Sequence, residues 1–288
     1  MAATLLVATG CSLNEINVEQ PPSPGISRQK TLDELKGRII SNSRSFATLT
    51  AKVDVALRSD FLLNPPQLNL SGKLALKREL GEDGVPRTKV YLYLERLGSK
   101  RIELIGDGRN YVVDMPVFGD KYSGEYGEPL SRQRNRIHFM PDDLASAFVI
   151  TDLFYQSSQV LKSYPTRWDM IAGNPRNPLV VPPVWIIDSI RVGGGVEPRA
   201  WVDSSLVLDG NTEEVLRLDR FRTDGSLRTS IWYLNPGVIR GPDDESVRVP
   251  GEVLLWYPPP LESTAIRIRL REQRVNVPVS DDTFRIEG

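Results

Sequence analysis

Three arginines, Arg267, Arg269 and Arg271, alternate with Ile266, Ile268 and Leu270 near the end of a 288-residue chain. On an extended backbone that alternation puts all three guanidinium groups on one face, about 7 Å apart. Such a row has the chemistry to grip lipid headgroup phosphates or an acidic partner, because arginine meets phosphate bidentately. The alternative is a solvated outer face whose arginines pair with carboxylates across the strand. Other candidate groups carry less. Adjacent acids, as in Asp142-Asp143, Asp243-Asp244 and Asp281-Asp282, point apart on a strand and splay by about 100° on a helix. That geometry suits solvated caps and turns rather than paired acid/base work. His138, in Arg-Ile-His-Phe-Met, has no serine in a G-x-S-x-G elbow and is expected half-exposed on a strand. Ser27 and Lys30 match S-x-x-K in a stretch with no rigid shell to hold them, and Gly193-Gly194-Gly195 lacks the following G-K-[ST] of a phosphate loop. No enzyme, cofactor or metal chemistry is expected, since one cysteine and one histidine leave too few ligands.

The single cysteine, Cys11, follows the apolar run Leu5-Leu6-Val7-Ala8 and the small pair Thr9-Gly10. This arrangement resembles a bacterial lipobox, whose cysteine is lipidated and becomes the mature N-terminus, the small residues letting a peptidase grip an extended backbone. Residues 1–10 then read as the remnant of a signal segment and residues 11–30 as a lipidated tether. Pro21-Pro22-Ser23-Pro24-Gly25 makes that tether semi-rigid. No other stretch approaches the roughly 18–20 apolar residues of a membrane span, so attachment to a membrane is expected through lipid on Cys11. Ser12, a non-Asp residue after the cysteine, is expected to accompany outer-membrane placement facing the periplasm.

These groups need elements to hold them. The 22 prolines and 22 glycines favour a turn-rich, mainly β protein, and 36 basic against 37 acidic side chains argue against nucleic-acid binding. Thr31-Leu32-Asp33-Glu34 forms a capping box ahead of Leu35, Ile39 and Ile40 at helical spacing. From residue 46 to 58 the period changes to two, with Leu49, Ala51, Val53, Val55 and Leu57 on one face. Further strands are expected over 70–77, 89–97, 101–105 and 110–115, then a short helix at 140–148. A second series is expected over 184–190, 200–208, 214–221, 226–234, 253–257, 265–272 and 283–286, with a loop over 164–183 between the two. Trp185, Trp201, Trp232 and Trp256 fall in those strands and are expected in the core, and Trp168 at a rim. Evenly spaced strands with glycine turns indicate a meander curling into a barrel or half-barrel.

The order of pieces resembles a family. The lipobox, the Pro-rich tether, the capped helix, SFATLTAKVDVAL, LSGKLALKR, YLYLERLGSKRIELIGDGRNYVVDMP, MPDDLASAF and AIRIRLREQRVNVPVSDDTFRIEG are similar to the bacterial outer-membrane lipoprotein carrier and receptor superfamily, the LolA/LolB-like fold. The resemblance implies a mainly β architecture with a few helices: a strongly curved antiparallel half-barrel closed by helices over an apolar cavity for acyl chains. Residues 31–288 would form one such domain, with a Pro-rich insertion near 164–183. Period-two patterning puts Leu49, Val53, Val55, Leu57, Leu74, Leu76, Leu92 and Leu94 on one inward face, which the resemblance makes the cavity wall. In the receptor branch a leucine inserts into the membrane; here the turn Leu97-Gly98 is expected to be too tight to protrude, and an apolar loop, Phe61-Leu62-Leu63, follows the first long strand. The function expected is a lipid-anchored envelope lipoprotein that binds an acyl chain or a lipoprotein, in transport or localisation. The other class is a structural or adaptor lipoprotein that meets an envelope protein partner with its cavity filled by its own side chains.

Overall fold

The computed structural model describes residues 30–44, 46–59, 67–81, 84–116, 119–126, 140–150, 154, 158–164, 167–169, 179–181, 183–192, 199–258 and 264–286. Cys11, the tether as far as residue 29, the Phe61-Leu62-Leu63 loop, His138 and Gly193-Gly194-Gly195 lie outside these residues.

Helix α1 spans Leu32–Arg44 and starts as the capping box requires. The Thr31 amide donates to Glu34 Oε2 (2.8 Å), and the Glu34 amide donates to Thr31 Oγ1 (3.2 Å), satisfying two donors that a helix start otherwise leaves open. The strands follow as β1 (Thr48–Ser59), β2 (Gln67–Leu80), β3 (Pro86–Arg96), β4 (Ser99–Gly106), β5 (Asn110–Met115) and β6 (Asp120–Glu125). Helix α2 (Pro141–Phe148) has proline in its first turn. Then come β7 (Ser158–Tyr164), β8 (Arg167–Asp169), β9 (Leu179–Val181), β10 (Val184–Val192), β11 (Ala200–Asp209), β12 (Val215–Phe221), β13 (Leu227–Arg240), β14 (Ser246–Tyr257) and β15 (Thr264–Val275).

Thirteen of these strands form one antiparallel sheet in the order β6-β5-β4-β3-β2-β1-β15-β14-β13-β12-β11-β10-β7. Two six-stranded meanders, β1 to β6 and β10 to β15, are joined where the first strand pairs with the last, Val53 facing Leu270 and Val55 facing Ile268. The sheet does not close: its edge strands β6 and β7 are not paired with each other. Gly72 marks a tight passage, because a Cβ there would lie 1.8 Å from the Tyr93 carbonyl oxygen of the neighbouring strand.

Strands β6 and β7 have no counterpart in the sequence expectation, and two further stretches differ from it. The 164–183 loop carries the separate strand pair β8 and β9, Trp168 facing Val180. Residues 283–286 do not form a strand; Asp281–Phe284 is a 3-10 turn in which the Ser280 side chain accepts from the Asp282 amide. A serine that bonds the backbone locally competes with a ladder, while Phe284 still reaches the core.

One face of the sheet carries a continuous apolar core. Leu49, Val53, Val55, Leu57, Leu74, Leu76, Leu92 and Leu94 are all within it, together with Leu35 and Ile39 of α1 and Leu144 and Ala147 of α2. Both helices therefore lie against that face. Of the tryptophans expected inside, only Trp185 is fully buried; Trp201 and Trp232 are half-buried and Trp256 is exposed. Trp232 lies on the outer face and stacks under the Arg217 guanidinium, 4.9 Å from the ring centroid. Its parity, not its hydrophobicity, decides its side.

Candidate functional site

A cavity of about 580 Å³ lies between the two helices and the second meander, within the usual range of roughly 300–1,000 Å³ for small-molecule sites. Its apolar wall comes from Ile39 and Phe46, from Phe148 and Ile150 at the end of α2, and from Val215, Tyr233 and Val249 of the sheet. In β13 and β14 the ladder keeps its register, Leu234 facing Glu252 and Pro236 facing Pro250. Between those pairs Asn235 takes a φ of 51°, and a Cβ on Gly251 would meet its carbonyl oxygen at 2.6 Å, so the two strands pass closely there. Farther along this hairpin, Val238, Arg248 and Val249 line the cavity, and Val238, 60% exposed, is an apolar side chain at its lip.

The charged part of the lining is a set of opposite charges. Glu213, in the turn before β12, receives hydrogen bonds or ion pairs from Arg38 of α1 and from Lys30 Nζ (3.1 Å). Burial alone would raise the Glu213 carboxyl, but those two cations outweigh it and hold it below its ordinary range. Arg248 Nη1 donates to Glu214 Oε1 at 2.5 Å. The Arg248 amide also donates to Asn42 Oδ1 (3.2 Å), which ties α1 to β14 through the backbone.

The acids Asp142 and Asp143, expected as solvated caps, are instead buried in the first turn of α2. Arg220 Nη1 donates to Asp142 Oδ2 (3.1 Å) and Asp143 Oδ1 (3.0 Å), and Arg228 Nη2 donates to Asp142 Oδ2 (2.7 Å) and to Asp143. Burial raises both carboxyls; the two arginines override it at Asp142, whose carboxyl is held low, while the neighbouring Asp142 charge adds to the rise at Asp143. Arg220 shares the parity of buried Leu218, so its inward aim was open to sequence reading. Arg228 was not. The β12–β13 ladder slips between Arg220 and Phe221, so Phe221 faces Leu227, Arg220 faces Thr229 and Arg228 has no ladder partner. That bulge turns Arg228 toward α2. The cluster fixes the start of the helix whose far end forms the cavity wall.

The residues singled out from sequence divide between two places. The eight apolar positions of β1, β2 and β3 share the buried face, and none of them lines the 580 Å³ cavity. Arg267, Arg269 and Arg271 lie on the opposite, outer face of β15. Arg267 Nε donates to Glu252 Oε1 (2.5 Å) and Arg269 Nε to Glu252 Oε2 (3.3 Å), covering a carboxylate that is 1% exposed, and Arg271 bonds Asp54. The row is thus paired with carboxylates of both neighbouring strands. Leu97, whose turn was expected to keep it from protruding, is 98% exposed at the apex of the β3–β4 hairpin with a φ of 52°. A two-residue hairpin turn needs positive φ, and here that geometry points the side chain outward.

No family model and no curated protein matches the chain. Among solved structures, the chain is similar to a LolA superfamily protein from Nitrosomonas europaea, at 10% identity and a TM-score of 0.52, covering 87% of this chain and 97% of that one. The fold is LolA-like. A DUF1329 family protein from Desulfovibrio piger shares it at 13% identity and a TM-score of 0.53, covering 88% of this chain and 95% of its own. At these identities the likeness is one of architecture, a mainly β chain with one open antiparallel sheet and helices on one face. The comparisons indicate no catalytic family, and among the described residues no group of acidic, histidine or cysteine side chains is arranged to hold a metal. No helix among them is long and apolar enough to cross a membrane.

Proposed function

We propose that this protein is a lipid-anchored cell-envelope lipoprotein whose half-barrel, closed by α1 and α2, holds an acyl chain of a lipid or lipoprotein in transport or localisation. The observation that carries the reading is the cavity lined by Ile39, Phe148, Val215 and Val249 on a LolA-like sheet. Removal of apolar chain from water is favourable by about 0.8 kcal/mol per buried CH₂, so such a wall suits a hydrocarbon ligand better than a polar one. The lipobox-like stretch ending at Cys11 supplies the anchor in this reading, with the outer membrane, facing the periplasm, as its place.

Native mass spectrometry of protein purified from membranes tests it. The account expects a lipid mass on the wild type and its loss in Val215→Trp, which fills the cavity from a half-buried wall position. A ligand-free wild type would favour the structural or adaptor role. For the anchor, Cys11→Ala is expected to move the protein from the membrane to the soluble fraction, and equal partitioning of both forms would remove lipidation from the account.

A further inference from the structure

We propose that the mouth of this cavity selects a zwitterionic phospholipid carrying a phosphate and a primary ammonium group, over anionic and uncharged lipids. The proposal rests on the acyl-chain reading and deepens it. The lining carries charge at one place, where Arg38 and Arg248 alternate with Glu213 and Glu214, beside the uncharged polar Ser41, Asn42 and Ser246. The cations are about half exposed, at 53% and 47% of their side chains, and exposed ion pairs are worth only about 0–1 kcal/mol each. They exchange partners readily.

The carboxylates, by contrast, are fixed. The turn that bears them is held by the Glu213 amide donating to the Asp209 carbonyl (2.9 Å) and by the Asp209 amide donating to the Glu214 carbonyl (2.8 Å). Asp209 Oδ1 also accepts from the Asn211 and Thr212 amides. Glu213 itself adopts a φ of 60°, a conformation a non-glycine residue occupies only when its surroundings over-determine it.

A headgroup arriving here meets two arginines and two anchored acids. A phosphate takes the arginines in bidentate contact, and this leaves Glu213 with Lys30 alone and Glu214 without Arg248. An ammonium on the same headgroup replaces Arg248 at Glu214, so every charge is again paired. A phosphoglycerol head lacks that cation and leaves Glu214 unpaired. A diacylglycerol makes neither exchange. A quaternary ammonium has no N–H to donate, whereas carboxylates are acceptors only, so a primary amine is preferred.

Displacement of a fluorescent fatty acid from the wild-type protein by short-chain lipids with identical tails tests the selection. Phosphatidylethanolamine is expected to displace it at a concentration at least tenfold lower than phosphatidylglycerol, phosphatidylcholine or diacylglycerol. In Glu213→Gln/Glu214→Gln the ratio between phosphatidylethanolamine and phosphatidylglycerol is expected to fall below threefold. Equal displacement by all four lipids from the wild type, or a preference for phosphatidylglycerol, would overturn headgroup selection and leave the acyl-chain reading standing. Failure of the fatty acid to bind at all would overturn both.

Discussion

Asp143 of α2 and Arg228 of β13 form an ion pair inside the protein, with the Asp143 side chain wholly inaccessible to water. With Asp142 and Arg220 they make a cluster of two acids and two bases that fixes α2 on the sheet.

Removing one member of a buried pair strands the other's charge in a medium that solvates it poorly. Asp143→Leu and Arg228→Met are each expected to cost about 3–5 kcal/mol in urea denaturation. The double substitution is expected to cost less than either, because Asp142 and Arg220 remain as a neutral pair. A double variant as unstable as the sum of the singles would mean that the two residues act separately.

The outer arginine row leads to a graded expectation. Arg271 and Asp54 form a surface pair, so Arg271→Gln is expected to change stability by about 0–1 kcal/mol. Arg267→Gln/Arg269→Gln is expected to cost distinctly more, because Glu252 is buried beneath both guanidinium groups. Adding Glu252→Gln to that pair is expected to restore most of the loss. Thermal melts of the three variants beside wild type check this, and an Arg271→Gln melt as low as that of the double variant would contradict it.

Acid should loosen the strap between α1 and the sheet. The folded Glu213 carboxyl is held below its ordinary value, so its pairing with Lys30 and Arg38 stabilises the protein above about pH 4.3 and is lost as pH falls through the folded pKa. Wild type is expected to melt above Glu213→Gln at pH 6, with the gap closing as pH falls below about 4. A gap that persists unchanged at pH 3 would assign the stabilisation to something other than the charge of Glu213.

The sequence made faces legible, but not partners. The capping box at Thr31 and the period-two runs from Leu49 to Leu94 located α1 and the first meander, since those signals are local. The seam between β1 and β15 joins residues more than two hundred positions apart, such as Val53 and Leu270; alternation cannot name a strand's neighbour. The inward residues of the first meander read in the sequence as one apolar face. That face packs into the core, and the space opens over β12 to β14. Likewise a one-residue slip aimed Arg228 inward against its parity. Bulges and helix docking are set by tertiary fit, which a single sequence does not display.

The central claim is that hydrocarbon occupies the space between the helices and the second meander. Photo-crosslinking with a fatty acid bearing a diazirine near its chain terminus, followed by peptide mapping, tests it most directly. The account predicts adducts on Ile39, Phe148, Val215 or Val249, the residues that wall the cavity. Adducts on Leu49, Leu92 or Leu94, or labelling no greater than that of heat-denatured protein, would contradict it.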